Sequence, residues 1–262
     1  MSDALTTEGF WDAYWAGIQL PALIDPRVQW QYALTQIFQT ILPQNCARQL
    51  FEVGCAPGRW LVWFGKEFGY RVDGCDTSPR GVLLTRENLR INALKGEVYQ
   101  ADVMDAVLTR PYDVVVSLGV IEHFSNPTAI IRRHVELVKP GGLLVLEVPN
   151  MAGRINRFLL HAAGMDSLAR LHNLRVMTEE FFTGVASEFG LKVALLAYIG
   201  GFDPGLVVFN YDGRQPGRRT VLLPLRGMAR VIAWRPLVGR LLAKWNHPAW
   251  SHMLVGVFQR PG

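Results

Sequence analysis

Glu52, Gly54 and Gly58 occur in the stretch LFEVGCAPGRW (Leu50 to Trp60), where a short apolar run ends in a carboxylate and a glycine-rich turn. Glycines there allow a tight turn and a close approach of the main chain to a bound molecule. Two nucleotide-binding loops are excluded by the spacing. G-x-G-x-x-G requires glycine where Ala56 stands, and G-x-x-x-x-G-K-[ST] requires a Lys-Ser or Lys-Thr pair that does not follow Gly58. Asp76 comes about 20 residues after the turn, the separation at which an open α/β sheet sets a carboxylate against ribose hydroxyls, two acceptor oxygens for two donors. Thr77, Ser78 and Pro79 behind it also read as a helix start, so Asp76 could instead cap that helix. His123, in LGVIEHFSNP (Leu118 to Pro127), carries an imidazole that titrates near neutrality and could take a proton from an acceptor hydroxyl or amine. The same histidine could equally bond main chain and shape its loop.

A sheet is needed to hold these groups. Leu50, Phe51 and Val53 suit a buried strand, and Arg59 to Phe68 continues as a helix. Tyr70 to Cys75 forms a second strand that delivers Asp76, followed by a helix to about Leu94 and a short third strand, Glu97 to Tyr99. Tyr112 to Ser117, YDVVVS, is uninterrupted and apolar, the pattern of a strand buried on both faces. Thr128 to Val138 reads as an amphipathic helix stopped by Lys139-Pro140-Gly141-Gly142, a turn ahead of a fifth strand, Leu143 to Val148. Upstream, Val28 to Leu42 has helical spacing and stops before Pro43. Downstream come a helix, Glu179 to Phe189, N-capped by Thr178, and the strands Lys192 to Tyr198 and Met253 to Gln259.

Five motifs in order between Leu50 and Asn150 resemble class I S-adenosylmethionine-dependent methyltransferases of the small-molecule branch. They are E-x-G-x-x-x-G, the strand ending in Asp76, Ala101-Asp102-Val103, the "EH" pair Glu122-His123 with Asn126-Pro127 behind it, and K-P-G-G before an apolar strand. The resemblance implies an α/β fold: a Rossmann-like doubly wound, mainly parallel seven-stranded sheet with helical lid insertions. It implies S-adenosyl-L-methionine as cofactor. Glu52, Gly54, Cys55, Ala56 and Gly58 would form its first loop, with Asp76 and Thr77 at the ribose, Asp102 and Val103 at the adenine, and Ser117, Leu118 and Gly119 beside the methionine portion. Asn150 would open onto the same side and face the acceptor. The opening GFWDAYW (Gly9 to Trp15) is similar to flaps that bring residues such as Tyr14 and Trp15 to the acceptor, although the same aromatics could dock a helix on the core. HNLRVMT (His172 to Thr178) is similar to an H-x-x-R-x-x-T stretch of the family. It makes His172 a second acid-base candidate and Arg175 a pocket residue, there to hold an anionic acceptor or to brace the lid.

At 262 residues, half of them hydrophobic and 19% charged, the chain suits one large methyltransferase domain. The expected parts are a helical flap over 1–45, a cofactor-binding core over 46–150, a lid over 151–177, remaining core over 178–199 and 253–262, and an insertion over 200–252. No apolar run is long enough to span a bilayer and the start lacks the pattern of a signal peptide, so a cytoplasmic location is expected. Cys46, Cys55 and Cys75 have no metal-ligand spacing, and no metal is expected. From Gly213 onward there are nine Lys and Arg and no Asp or Glu, leaving 18 basic against 22 acidic residues upstream. Val221 to Trp245 reads as two short helices parted at Arg235-Pro236, with Arg226 and Arg230 on one face and Arg240 and Lys244 on another. Such a pair could lie on an anionic membrane, bind a lipid-like substrate, form a homodimer contact, or pack on its own core with a solvated basic face. The expected acceptor is small, apolar or lipid-like, with O-methylation preferred. RNA as acceptor fits the basic tail, but the fourth strand leads into SLGV instead of N-P-P-[YFW], which weighs against nucleic acid. A non-catalytic protein that keeps the cofactor fold is the rival of another class.

Overall fold

In a computed structural model of the chain, which describes residues 3–44, 47–104, 110–208 and 219–262, the helices α1 (Glu8–Trp15) and α2 (Gln29–Ile41) precede the first strand, β1 (Gln49–Val53). The chain then runs through α3 (Arg59–Phe68), β2 (Arg71–Asp76), α4 (Pro79–Ile91), the consecutive strands β3 (Val98–Gln100) and β4 (Tyr112–Leu118), α5 (Thr128–Leu137) and β5 (Val138–Pro149). Helices α6 (Arg154–Ala162) and α7 (Glu179–Glu188) lead to β6 (Lys192–Phe202). A single turn, α8 (Gly205–Val208), and the helices α9 (Arg219–Trp234) and α10 (Pro236–Leu242) intervene before β7 (Ser251–Gln259). Cys46 lies outside the described residues, as do residues 209–218 of the insertion expected over 200–252.

The strands form one sheet in the order β3-β2-β1-β4-β5-β7-β6. Every pairing from β3 to β5 is parallel, and β7 runs antiparallel between β5 and β6. Successive residues of β4 serve opposite faces, because side chains alternate along a strand. Val114 and Val116 belong to one core cluster with Leu34, Phe38, Leu61 and Phe64, while Val115 belongs to a second with Ile121, Ile131 and Phe182. Burial on both faces explains the uninterrupted apolar run. The strand order reverses between β1 and β4, and the crevice outside their carboxyl ends is where open α/β sheets bind ligands.

Two elements differ from the sequence reading. Lys139 to Gly142 is not a turn ahead of the fifth strand but part of it: β4 pairs Tyr112 with Val138 and next Val114 with Leu143, so the four residues bulge opposite Asp113. Gly141 takes φ +77° there, and its N–H reaches the Arg260 carbonyl at 2.9 Å, so β7 supports the bulge. β6 runs on past Tyr198 to Phe202 because Gly200 and Gly201, at φ +86° and +54°, let it bend and pair again with Ser251. A Cβ on Gly201 would lie 1.9 Å from the Leu242 carbonyl oxygen, so this glycine is the seat of α10.

Candidate functional site

Gly54, at the end of β1, has φ +72°, and a Cβ there would meet Val120 at 2.6 Å. Its N–H and that of Cys55 both donate to the Cys75 carbonyl, which ties the loop to β2. Gly58, at φ +84°, faces the other way: a Cβ would lie 2.9 Å from Thr85 Cγ2 and 3.1 Å from its Cα, so this glycine lets α3 approach α4. Asp76 is buried, and its oxygens accept N–H bonds from Ala56 (3.1 Å) and Ser78 (2.9 Å). The cap of α4 is Ser78, whose Oγ accepts the Gly81 N–H, so Asp76 is not spent on that helix. Each of its oxygens keeps a lone pair for a further donor. Burial raises its carboxyl pKa, and the two N–H bonds oppose the rise. Thr77 is half-buried between them.

Around this loop several buried polar atoms lack partners. Glu52 Oε2 and Ser117 Oγ have none. Burial, then the Asp76 charge, pushes the Glu52 carboxyl well up, against the pull of Arg59. The Asp102 Oδ1 accepts the Met104 N–H at 2.9 Å, and Val103 is buried in the core with its carbonyl bonded to Arg133. Leu118 and Gly119 follow Ser117 at the end of β4, Gly119 with φ +72° and its N–H on the Glu147 carbonyl. Cys55 and Cys75 are free, buried thiols whose pKa values burial drives upward, which makes them structural.

The second half of the site forms where β4 runs into a 3-10 turn, Ile121–His123. The strip 121–125 is gripped from both sides. Leu5 donates to the His123 carbonyl and Ser125 to the Asp3 carbonyl, while the Asn173 N–H and side chain donate to the carbonyls of Glu122 and Phe124. This brings His172 to His123, their ring centroids 4.6 Å apart although 49 residues separate them in the chain. His123 Nδ1 lies 2.8 Å from the Leu171 carbonyl, and His172 Nδ1 lies 2.8 Å from that of Leu168. A carbonyl can only accept, so in each neutral ring Nδ1 carries the hydrogen and Nε2 keeps a lone pair. Burial, then the neighbouring His172, lowers the His123 pKa to about 4, and burial lowers that of His172 as well. Beneath them Glu122 and Glu147 are buried. Desolvation lifts Glu147 to about 8, while desolvation and the Glu147 charge lift Glu122 well above the usual carboxylate range.

A family model described as a methyltransferase domain matches residues 27–196, most of the chain and all of β1 to β5. The chain belongs to the class I S-adenosylmethionine-dependent methyltransferases. It is 28% identical over 164 residues to a ubiquinone biosynthesis O-methyltransferase of Xanthomonas euvesicatoria pv. vesicatoria (strain 85-10), a match covering 62% of this chain and 64% of that one. The chain thus spans somewhat under two thirds of the length of that curated relative. In fold it is similar to a putative sarcosine dimethylglycine methyltransferase from Galdieria sulphuraria (TM-score 0.59, 14% identity, covering 97% and 98% of the two chains). It is also similar to the [4+2]-cyclase SpnF (TM-score 0.59, 16% identity, covering 99% and 97%).

The methyltransferase loop fits the family's cofactor. Asp76 has lone pairs to spare, and Glu52 Oε2 and Ser117 Oγ are buried without partners. Asn150 is buried and its side chain bonds the main chain: its amide donates to the carbonyls of Pro248 and Ser251 and its Oδ1 accepts the Gly153 N–H. Tyr14 is 60% exposed, and Trp15 packs toward Gly81 of α4. Arg175 is exposed, beyond the two histidines. The reading missed Trp11 and Asp12 of the same helix. Trp11 stands edge-on to His123 at 4.9 Å, and Asp12 accepts from Ser78 Oγ and the Arg80 N–H, both at 2.9 Å. Helix α1 therefore bridges the cofactor loop and the histidine pair. Its sequence signal was the single carboxylate inside GFWDAYW, facing the N-terminus of α4, where a negative charge is favoured.

Proposed function

We propose that this methyltransferase methylates a hydroxyl of a small, apolar acceptor, held at the His123–His172 pair. The observation that supports it is the meeting of those two rings outside the carboxyl end of β4, next to the glycine loop and under Trp11. S-adenosylmethionine, when bound, supplies an electrophilic methyl on a sulfonium, so the chain needs no nucleophile of its own. Asp76 would hold the ribose, Asp102 the adenine side, and the main chain from Ser117 to Gly119 the methionine portion. His123 and His172, neutral at pH 7, would accept a hydrogen bond from the acceptor hydroxyl at Nε2 and aim its oxygen lone pair at the methyl. An imidazole held near pKa 4 is a weak base, so an acidic, phenol-like hydroxyl suits this site better than an alkyl alcohol. Trp11 excludes water from the rings.

Two features speak for an apolar acceptor. A cleft of about 180 Å³ beside α6 is walled by Met151, Leu160, Met165 and Leu174, with Arg157, His161 and Asp166 also lining it. The outer faces of α9 and α10 expose Leu223, Val231, Trp234, Leu237, Leu241 and Trp245, among the exposed cations Arg230, Arg235 and Lys244. The inner faces pack on the core through Leu222, Leu225, Ile232 and Ala243. An outer face that is both apolar and cationic suits an anionic membrane surface better than plain solvent, and would bring the enzyme to acceptors dissolved there. No helix among the described residues is long and apolar enough to cross a membrane.

The test is methyl transfer from labelled S-adenosylmethionine to phenolic and alkyl hydroxyl acceptors, amines, lipid extract and RNA. Transfer to apolar phenols, depressed in His123→Ala with affinity for S-adenosylhomocysteine retained, is the expected result. Cofactor binding without transfer to any acceptor would favour the rival of a non-methylating protein on this fold, of which a cyclase with the same architecture is a reminder.

A further inference from the structure

Glu122, His123 and His172 each offer one ligand atom, and the three atoms lie within 4.8 Å of one another. Glu122 Oε1 is 4.0 Å from His123 Nε2. We propose that these three side chains form a divalent metal site, with two imidazoles and one carboxylate, for an ion of the Zn²⁺ or Co²⁺ kind. The inference rests on the acceptor site described above and deepens it: a metal ion held on the Nε2 lone pairs would take the acceptor hydroxyl in place of its direct hydrogen bonds to the imidazoles.

Three observations carry it. Each imidazole already donates Nδ1–H to a backbone carbonyl, which turns its Nε2 lone pair outward; metal-binding histidines are held in this way. Glu122 is 1% exposed, yet its Oε2 has no partner, and no Lys or Arg forms an ion pair with it or with Glu147 among the described residues. A buried carboxylate without a partner is costly, and a dication placed between it and two neutral imidazoles removes that cost. Finally, three protein ligands leave at least one coordination position open, as in catalytic sites of this type. Bonds of about 2.1 Å in a tetrahedral arrangement set ligand atoms roughly 3.4 Å apart, so the three groups would draw together by about 1 Å. The nitrogen ligands favour zinc or cobalt over magnesium or calcium, which take oxygen ligands. The acceptor oxygen would take the open position. The metal charge would lower the hydroxyl pKa so that its proton leaves to water, the oxygen attacks the methyl carbon, and the carbon–sulfonium bond breaks to leave a neutral thioether.

The experiment is calorimetric titration of the chelator-treated full chain with ZnCl₂, together with the visible spectrum after addition of CoCl₂. One ion per chain and a cobalt ligand-field band are expected. Both should weaken at least tenfold in His172→Gln and in Glu122→Gln, a near-isosteric change. Binding of S-adenosylhomocysteine, measured on the same samples, shows that the variants are folded. Absence of stoichiometric metal binding, or an affinity the variants do not change, overturns the site. Methyl transfer that runs at full rate in chelator sinks the metal proposal and leaves the proposed activity standing. Specific metal binding without transfer to any acceptor does the reverse.

Discussion

Asp76 joins a structural duty to the ribose contact proposed for it. It closes the loop by accepting from Ala56 and Ser78, and each oxygen keeps a lone pair for a further donor. Asp76→Ala should weaken S-adenosylhomocysteine binding by roughly 2 to 4 kcal/mol, the worth of two charge-assisted hydrogen bonds; equal affinities by calorimetry would remove it from the ribose. His134, by contrast, has no place in the chemistry. It is wholly buried in α5, with Nδ1 on the Ile130 carbonyl, and burial lowers its pKa to about 4. A histidine whose folded pKa is depressed contributes stability above its unfolded pKa, near 6.5, and loses that stability as the pH falls toward 4. About 3 kcal/mol is at stake by that linkage. Urea midpoints at pH 7 and 4.5 should therefore converge more in His134→Gln than in the wild type, and identical pH slopes would contradict the assignment.

Elements in this protein are set by close approaches as much as by propensity. α3 and α4 meet at Gly58, α10 meets β6 at Gly201, and β5 bulges at Gly141. These positions separate strain from collision. Gly141→Ala adds a Cβ with nothing within 4 Å and should cost only the left-handed backbone strain, about 1 to 2 kcal/mol. Gly58→Ala adds the same strain and a contact with the Thr85 backbone that cannot give way, so its loss should exceed that of Gly141→Ala by at least about 1 kcal/mol. Denaturant unfolding of the two variants decides it; equal losses would mean that α4 yields. At the opposite edge of the sheet, Asp113 gathers the Gln49 N–H, Arg48 and Lys139 at 2.9 to 3.0 Å, joining β1, β4 and the β5 bulge. This brace leaves the carboxyl ends of the strands free for binding.

For the whole molecule, the question is what the outer face of α9 and α10 touches. Of the four cations that the sequence places in two pairs, Arg240 lies over the Tyr32 ring at 4.9 Å and Arg226 is half-buried, so both are engaged with the protein. Arg230, Arg235 and Lys244 are exposed, and each is worth about 1 kcal/mol at an anionic surface. Flotation should show the protein bound to anionic but not neutral vesicles. Binding should fall on changing these three to Gln and fall further on changing Trp234 and Trp245 to Ser. A wild type that ignores both vesicle types would make the same face a contact between copies of the chain, to be seen as a dimer by sedimentation.

The sheet was legible in the sequence because its signals are local. A buried strand must be apolar along its length, a carboxylate must stand at its end, and a helix that follows needs a cap and a stop, all within a few neighbouring residues. Glu52, Gly54, Asp76 and His123 could be read in the same way, from their places at strand ends. The partnership of His123 with His172, the bonds of Asn150 to Pro248 and Ser251, and the contact of Trp11 with His123 were not legible. Each depends on segments 49 to 112 residues apart in the chain, and packing brings them together by contacts that leave no periodic trace in the sequence. The same holds for α9 and α10. Their amphipathic spacing is local, but which face meets the core was decided only when Gly201 admitted Leu242 and buried one side.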